Sequence, residues 1–349
     1  MAATMKDIAI ASGVSRSVVS LVFNNRDREI GIAPQTRERI LRTARELGYC
    51  RNELARAVVT GHSRVIAWIS SCDPGNHEYI ARISAGISRV LSQAEYSMKT
   101  YYGPLAETEA LVRQLRENQI AGVICHATGY PELQPLLSEL KHWRIPVVIA
   151  NLSAVGFGYG VVTDDASGIG QMVDCFVNAG FRKLAYLGSP GDLEYVVNRR
   201  RGFVVRSNKH RLKAEIFLLS PTDNWQENVW HAMDRIYKAG FRGVVAETDA
   251  MAAVIMQWAV QQGLSVPREM AVSGFADMSF APWCTVPLTT VSQPLDQVGA
   301  TAAGQLLKWI GKPKGHAFER CRNITLPVEA VIRQSIPVRK NKKTTGGER

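Results

Sequence analysis

The sequence predicts an α/β protein, in which an N-terminal all-α helix-turn-helix headpiece is joined by a hinge to a two-lobed core of two doubly wound parallel sheets. Three observations predict it. Residues 1–50 read as short helices. From 64 to 338, apolar strand-like runs alternate with amphipathic helical stretches, the pattern of parallel strands covered on both faces. These runs are too many for one ordinary doubly wound domain, which divides the core into two similar lobes.

Composition narrows the class. The 349 residues suit two or three folded units. Hydrophobic residues at 46% and charged residues at 21% sit near the globular average and exclude a disordered or fibrous chain. Six cysteines (Cys50, Cys72, Cys125, Cys175, Cys284, Cys321) are scattered without a CxxC pair, which argues against a disulfide scaffold or a zinc ribbon and for a reducing compartment. No apolar run approaches the roughly 18 residues of a membrane span, and Lys6 and Asp7 interrupt any signal-peptide core. The expectation is a soluble cytoplasmic protein with no metal and no cofactor. The net charge of +11 suits a polyanionic partner. Residues 1–63 carry ten Lys/Arg and six Asp/Glu, and residues 339–349, a solvated basic tail, carry five and one.

The elements follow in order. Thr4 with Asp7 three residues on makes a capping-box start. Gly13 breaks that first helix and Ser15 caps a second over Arg16–Asn24. On the second helix, Val19, Val22 and Phe23 face inward by spacing. Arg16, Ser17, Ser20, Leu21 and Asn24 face outward, a surface fit for a major groove: hydroxyls and amide for phosphates, Arg16 for a guanine edge, Leu21 for a thymine methyl. A third helix starts at Pro34, turns Ile40, Ala44 and Leu47 inward, carries Arg37, Arg39, Arg42 and Arg45, and ends at Gly48. The short Gly13-Val14-Ser15 join and the basic third helix favour a DNA-binding unit over a plain helical bundle. Strands are expected at 64–70, 121–125, 146–150, 183–188, 214–219, 243–246 and 270–274. Helices are expected at 79–94, 167–179, 225–239 and 250–263. Asp164-Asp165 reads as a strand end and helix start. The glycines of 156–160 lack the position of a nucleotide-binding turn.

These residues resemble the LacI/GalR family of bacterial transcription regulators. The similarity runs from "TMKDIAIASGVSRSVVSLVFN" at Thr4–Asn24 through "TRERILRTARELGY" at Thr36–Tyr49 and "NELARAVVTGHS" at Asn52–Ser63. It continues in "TDDASGIG" at Thr163–Gly170, "RRRGF" at Arg199–Phe203, "ETDAMA" at Glu247–Ala252, "VSGFAD" at Val272–Asp277 and "PLTTVSQP" at Pro287–Pro294. The resemblance implies a headpiece over 1–50 and a hinge over 51–63. It further implies a core like a periplasmic sugar-binding protein over 64–338, and a basic tail over 339–349. Lobe one would take about 64–162 plus 294–325, and lobe two about 163–293 plus 326–338. It adds Thr4, Lys6 and Ser15 to the DNA contacts, and Asn52, Ala55, Arg56 and Val58 from a hinge helix too short to be stable alone. That helix would wedge Val58, leucine in most members, into the minor groove.

By position, the resemblance points to an effector site of Tyr79, His126, Arg199, Trp225, Thr248 and Asp277, with Gln293 at the crossover. Aromatic faces, a guanidinium fork, and carboxylate and amide groups suit a sugar or related metabolite. Ala276 stands where sugar-binding members often carry an aspartate. The function implied is a ligand-responsive regulator, a repressor by preference. It would bind a pseudo-palindromic operator in double-stranded DNA as a homodimer, since the tail has no leucine heptad for a tetramer. The alternative is a small-molecule (sugar) binding protein without a DNA role. Catalysis is not expected: Ser189 and Ser273 lie in no GxSxG elbow.

Overall fold

The computed structural model describes residues 3–24, 27, 30–49, 63–72, 78–103, 105–127, 129–156, 158–220, 224–311 and 321–338. The chain divides into two compact units, 1–63 and 64–349. The expected hinge contacts Asn52, Ala55, Arg56 and Val58, and the tail from residue 339, lie outside the described residues.

The first unit is a three-helix bundle: α1 (Met5–Ser12), α2 (Arg16–Phe23) and α3 (Pro34–Glu46). The capping box forms as read: the Thr4 N–H donates to Asp7 Oδ2 at 2.8 Å and the Asp7 N–H to Thr4 Oγ1 at 3.4 Å. Gly13 closes α1 in the left-handed region (φ 65°), a conformation that costs glycine little. Ser15 then caps α2, accepting from the Val18 N–H at 3.3 Å. The core is Ile8, Val19, Val22 and Ile40, with Ala9 and Ala44. Leu47 corrects the sequence reading: it is 41% exposed, and Thr43 takes the inner place beside Ile40 and Ala44. The helix stops one residue before Leu47. The chain turns at Gly48 (φ 62°), and Tyr49 folds back so that its ring lies 5.3 Å from that of Phe23.

The second unit opens with β1 (Val65–Ser70), α4 (Glu78–Gln93), β2 (Ser97–Tyr102), α5 (Thr108–Glu117), β3 (Gly122–His126), α6 (Tyr130–His142), β4 (Val147–Ala150) and β5 (Tyr159–Thr163). It continues with α7 (Asp165–Asn178), β6 (Lys183–Gly188), α8 (Glu194–Lys209), β7 (Lys213–Leu218), α9 (Trp225–Lys238), β8 (Gly243–Ala246), α10 (Asp249–Gln261) and β9 (Ala271–Ser273). It closes with β10 (Thr290–Ser292), α11 (Leu295–Ile310), β11 (Arg322–Leu326) and β12 (Glu329–Val331).

One sheet has the order β11-β5-β4-β3-β1-β2 and the other β7-β6-β8-β9; every pairing in both is parallel. An antiparallel pair, β10 with β12, stands apart. The sheets define two lobes. The chain passes between them three times: after β5, between β10 and α11, and between β11 and β12.

The central strands β1, β3 and β4 of the six-stranded sheet bury both faces, with successive side chains alternating between them. Ala67, Ile69, Val123 and Ile149 pack on α5 and α6, while Ile66, Trp68, Ile124 and Val148 pack on α4 and α11. The second sheet repeats the arrangement, with Leu187 and Val244 toward α9 and α10 and Leu184 and Val245 toward α7 and α8. Helices α4 and α11 meet backbone to backbone. A Cβ on Gly86 would fall 2.0 Å from the Asp296 carbonyl oxygen, and one on Gly299 2.0 Å from that of Ile83. Among the described residues, no helix is long and apolar enough to cross a membrane.

Candidate functional site

The outer side of α2 is the polar face expected to meet DNA. Arg16 and Ser17 are exposed there, and Ser20, Leu21 and Asn24 are half-buried. Thr4 and Lys6 are exposed at the start of α1. The capping chemistry separates the two hydroxyls expected to meet phosphate. Thr4 Oγ1 accepts from the Asp7 N–H and donates to Asp7 Oδ2 at 2.7 Å, so its proton is committed within its own turn. Ser15 Oγ only accepts, from the Val18 N–H, and its proton can reach an outside acceptor. The Asn24 amide donates to Ser20 Oγ at 3.4 Å. Asp27, buried beneath this region, holds Arg37 at 2.7 Å.

In the second unit, polar side chains gather at the carboxyl ends of both sheets, where open α/β folds take ligands. Tyr79, in the first turn of α4, sets its hydroxyl 3.3 Å from Nε2 of His126, the last residue of β3. Their rings meet edge-on with centroids 5.5 Å apart. Burial, then the nearby Asp165 carboxylate, pushes the Tyr79 phenol well above its ordinary range, and Asn151, just past β4, opposes the shift. Arg199 enters from α8 and is 5% exposed. Its Nε donates to Asp165 Oδ2 at 2.9 Å and its Nη1 to the Glu247 carbonyl oxygen at 2.9 Å. The guanidinium lies 3.8 Å from the ring centre of Phe275. Tyr195, one turn before Arg199, is raised by burial and then by Glu247, and it also feels Cys72 at the end of β1.

Tyr79 and His126 thus meet directly, and the Arg199 guanidinium acts on the Tyr79 phenol. The other four expected residues are placed differently. The Thr248 hydroxyl caps α10, accepting from the Met251 N–H at 3.2 Å. Asp277 is held by Arg333 at 2.7 Å. Gln293 is 1% exposed and donates to Thr163 Oγ1 at 2.8 Å and Asp165 Oδ1 at 3.3 Å, so it braces the partner of Arg199 from behind. The Trp225 indole is 38% exposed at the start of α9, and no described contact ties it to the cluster. Asn151, Asp165, Tyr195 and Glu247 were missed as site residues. Two of them carried a signal: Tyr195 lies four residues before Arg199 on one helix face, and Asp165 directly follows a strand end.

Two carboxylates join the lobes beside this cluster. Glu78 accepts from the Ser279 N–H at 3.1 Å and from its hydroxyl at 2.7 Å. Glu194 accepts from the Ser153 N–H at 2.8 Å and from its hydroxyl. Arg82 on α4 donates to the carbonyl oxygens of Gln293 at 3.3 Å and Asp277 at 3.4 Å. Ala276 and Asp277 both have positive φ, 116° and 53°, a cost that persists only where surroundings enforce it. Here the Ala276 N–H donates to the Val291 carbonyl oxygen at 2.8 Å. Burial pushes the Asp249 carboxyl above its usual range, against hydrogen bonds from Thr290 and the Met278 N–H.

Comparison with known proteins matches both units. Residues 4–52 match the profile of bacterial regulatory proteins of the lacI family, and residues 173–336 that of the periplasmic binding protein-like domain. The HTH-type transcriptional repressor PurR of Salmonella paratyphi B is 28% identical, over 96% of this chain and 97% of its own. The lac repressor dimer bound to operator and the anti-inducer ONPF shares the fold at a TM-score of 0.76 and 20% identity, covering 96% of this chain and 99% of that one. A CelR–cellobiose complex does so at 0.69 and 24%, covering 95% and 99%. A ribose-bound regulator from Enterococcus faecium reaches 0.66 and 20%, covering 79% and 100%. The chain thus carries a segment similar to the lacI-family regulatory proteins over 4–52 and one similar to the periplasmic binding protein-like domain over 173–336, and it is similar to the repressor PurR over nearly its whole length.

Proposed function

We propose that this protein is a cytoplasmic, ligand-responsive repressor. It binds an inverted-repeat operator in double-stranded DNA as a homodimer, and a small molecule in the interlobe cleft changes its affinity. The observation that carries the DNA reading is α2: a capped helix after a left-handed glycine turn, with Val19 and Val22 anchored and Arg16, Ser17, Ser20 and Leu21 turned outward. We assign 1–50 to the headpiece, 51–63 to the hinge, 64–338 to the effector and dimer core, and 339–349 to the tail. Arg16 and Leu21 read bases. Lys6, Ser15, Ser17, Ser20 and Asn24 reach phosphates, and Asn52, Ala55, Arg56 and Val58 form the hinge contact. Thr4 serves as a helix cap. The effector is a sugar or related metabolite. Tyr79, His126, Asn151, Tyr195 and Arg199 meet it directly; Asp165 and Gln293 position Arg199.

The relatives support this reading: PurR is named a repressor, and the solved neighbours hold operator, cellobiose or ribose. A binding protein without a DNA role leaves the headpiece unexplained. Selection of full-length protein against random duplexes tests it. Inverted repeats with half-sites about one helical turn apart are expected among the recovered sequences, and Leu21→Arg should change the recovered half-site. Recovery of sequences with no shared repeat would contradict it.

A further inference from the structure

Each lobe sends one glutamate across to a serine of the other, and the two contacts have the same chemistry. Glu78, the first residue of α4 in lobe one, accepts from the N–H of Ser279 in lobe two at 3.1 Å and from its hydroxyl at 2.7 Å. Glu194, the first residue of α8 in lobe two, accepts from the N–H of Ser153 in lobe one at 2.8 Å and from its hydroxyl. A carboxylate in the first turn of a helix ordinarily serves that helix. Helix α8 has no side-chain cap, yet Glu194 is turned to the other lobe.

Both serines stand on anchored backbone. Ser153 lies between Asn151, whose N–H donates to the Val161 carbonyl oxygen at 2.7 Å, and Ala154, whose N–H donates to Asn323 Oδ1 at 2.7 Å. Ser279 follows Asp277, held by Arg333, and Met278, whose N–H donates to Asp249 Oδ2 at 2.7 Å. The glutamates stand at the starts of 16-residue helices. With both sides already fixed, little conformational entropy is lost in making the contacts, and hydrogen bonds to an ionised acceptor are stronger than neutral ones. The same motif occurs within one lobe, where the Ser265 N–H and hydroxyl donate to Glu269 Oε2, each at 2.8 Å. There it closes a local turn and bridges nothing.

The lobes cannot separate without breaking the bonds of Glu78 and Glu194. Arg82 also reaches across, to the carbonyl oxygens of Asp277 and Gln293, but Gln293 lies at the crossover, where the chain already joins the lobes. We propose that Glu78 and Glu194 are reciprocal latches that hold the lobes together, and that the cleft opens only when both release. In the effector reading above, on which this role rests, the latches set the balance that a ligand shifts. The latches themselves are tested without any ligand.

Amide hydrogen exchange of the full-length protein is the test, and each latch is broken while the other is read. In Glu78→Ala the Ser153 amide should exchange about tenfold faster, and in Glu194→Ala the Ser279 amide should do so. Such cross-acceleration requires a shared opening of the lobes; two unconnected contacts leave each other unchanged. Glu269→Ala removes the same bonds within one lobe and should move neither serine. Unchanged exchange at the opposite serine in both glutamate variants overturns the proposal. Equal acceleration in Glu269→Ala, or at Val244 in the middle of the second sheet, also overturns it, because general destabilisation then accounts for the effect. Should a glutamate variant not fold, Ser153→Ala and Ser279→Ala, which remove only a hydroxyl, are read in the same way at the opposite serine. Failure of the regulator reading would show separately, as absence of any inverted-repeat preference in DNA selection.

Discussion

Arg199 is matched inside the protein before any ligand arrives. In the sequence it is the first of three consecutive arginines, a run that equally suits a solvated surface. The structure distinguishes them by helix phase: Arg199 faces the sheet end and is buried, Arg200 is half-buried, and Arg201 is exposed. Removing one member of a buried ion pair leaves the other unmatched, at about 3–5 kcal/mol. Arg199→Met is therefore expected to lose about that much stability in urea unfolding, through an uncompensated Asp165.

Asp249 makes a pH prediction of opposite sense to the usual carboxylate. Its folded pKa is raised, so the folded state holds the proton where the unfolded chain has lost it. Its contribution to stability is fully present below the ordinary aspartate range and is lost as pH rises through the raised folded value. In unfolding midpoints measured from acid to neutral pH, Asp249→Asn should remove this decline. An identical pH dependence in the two proteins would contradict the assignment. Single residues were the least legible part of the site. Tyr79 and His126 sit at a helix start and a strand end that the sequence pattern marks, whereas Arg199 lies inside α8, a helix the sequence reading did not mark. Thr248, Asp277 and Gln293 have polar groups whose internal partners, Met251, Arg333 and Asp165, lie on other elements or in cap geometry that spacing does not reveal.

Elements were more legible where burial is uniform. The runs at 183–188 and 243–246 became β6 and β8 with the bounds read from sequence, because both strands bury nearly every residue. Strand β2 (SMKTYY) and strand β11 (RNITL) escaped notice. Both lie at sheet edges with alternating exposed positions, and a polar-rich edge strand has no continuous apolar run. The helix caps were readable because their chemistry is local. Thr4→Ala removes the side-chain half of the α1 capping box and leaves the backbone N–H donating to Asp7, for about 1 kcal/mol. Amide exchange along Ile8–Ser12 should accelerate about fivefold, while exchange in α10, on the other unit, stays unchanged.

The whole molecule joins two readings that the sequence supports with unequal force. The DNA-facing unit is compact and local, so three helices, two caps and a polar face could be placed residue by residue. The cleft is assembled from strand ends far apart in sequence, and only its general position follows from topology. Both lobes are bridged in the present arrangement through Glu78–Ser279 and Glu194–Ser153, with Arg82 tying α4 to the crossover at Gln293. A ligand shifts such an equilibrium only by its difference in affinity for the two arrangements. The consequence for DNA is a coupling energy of about 1–3 kcal/mol, or roughly 5–150-fold in affinity.

The direct measurement is fluorescence anisotropy of the full-length protein on a recovered inverted repeat, at fixed salt, with and without a compound that raises the melting temperature. The account predicts an operator affinity that changes by about fivefold or more with the compound. Equal affinity in its presence and absence, with the compound bound at saturation, would contradict control of DNA binding from the cleft.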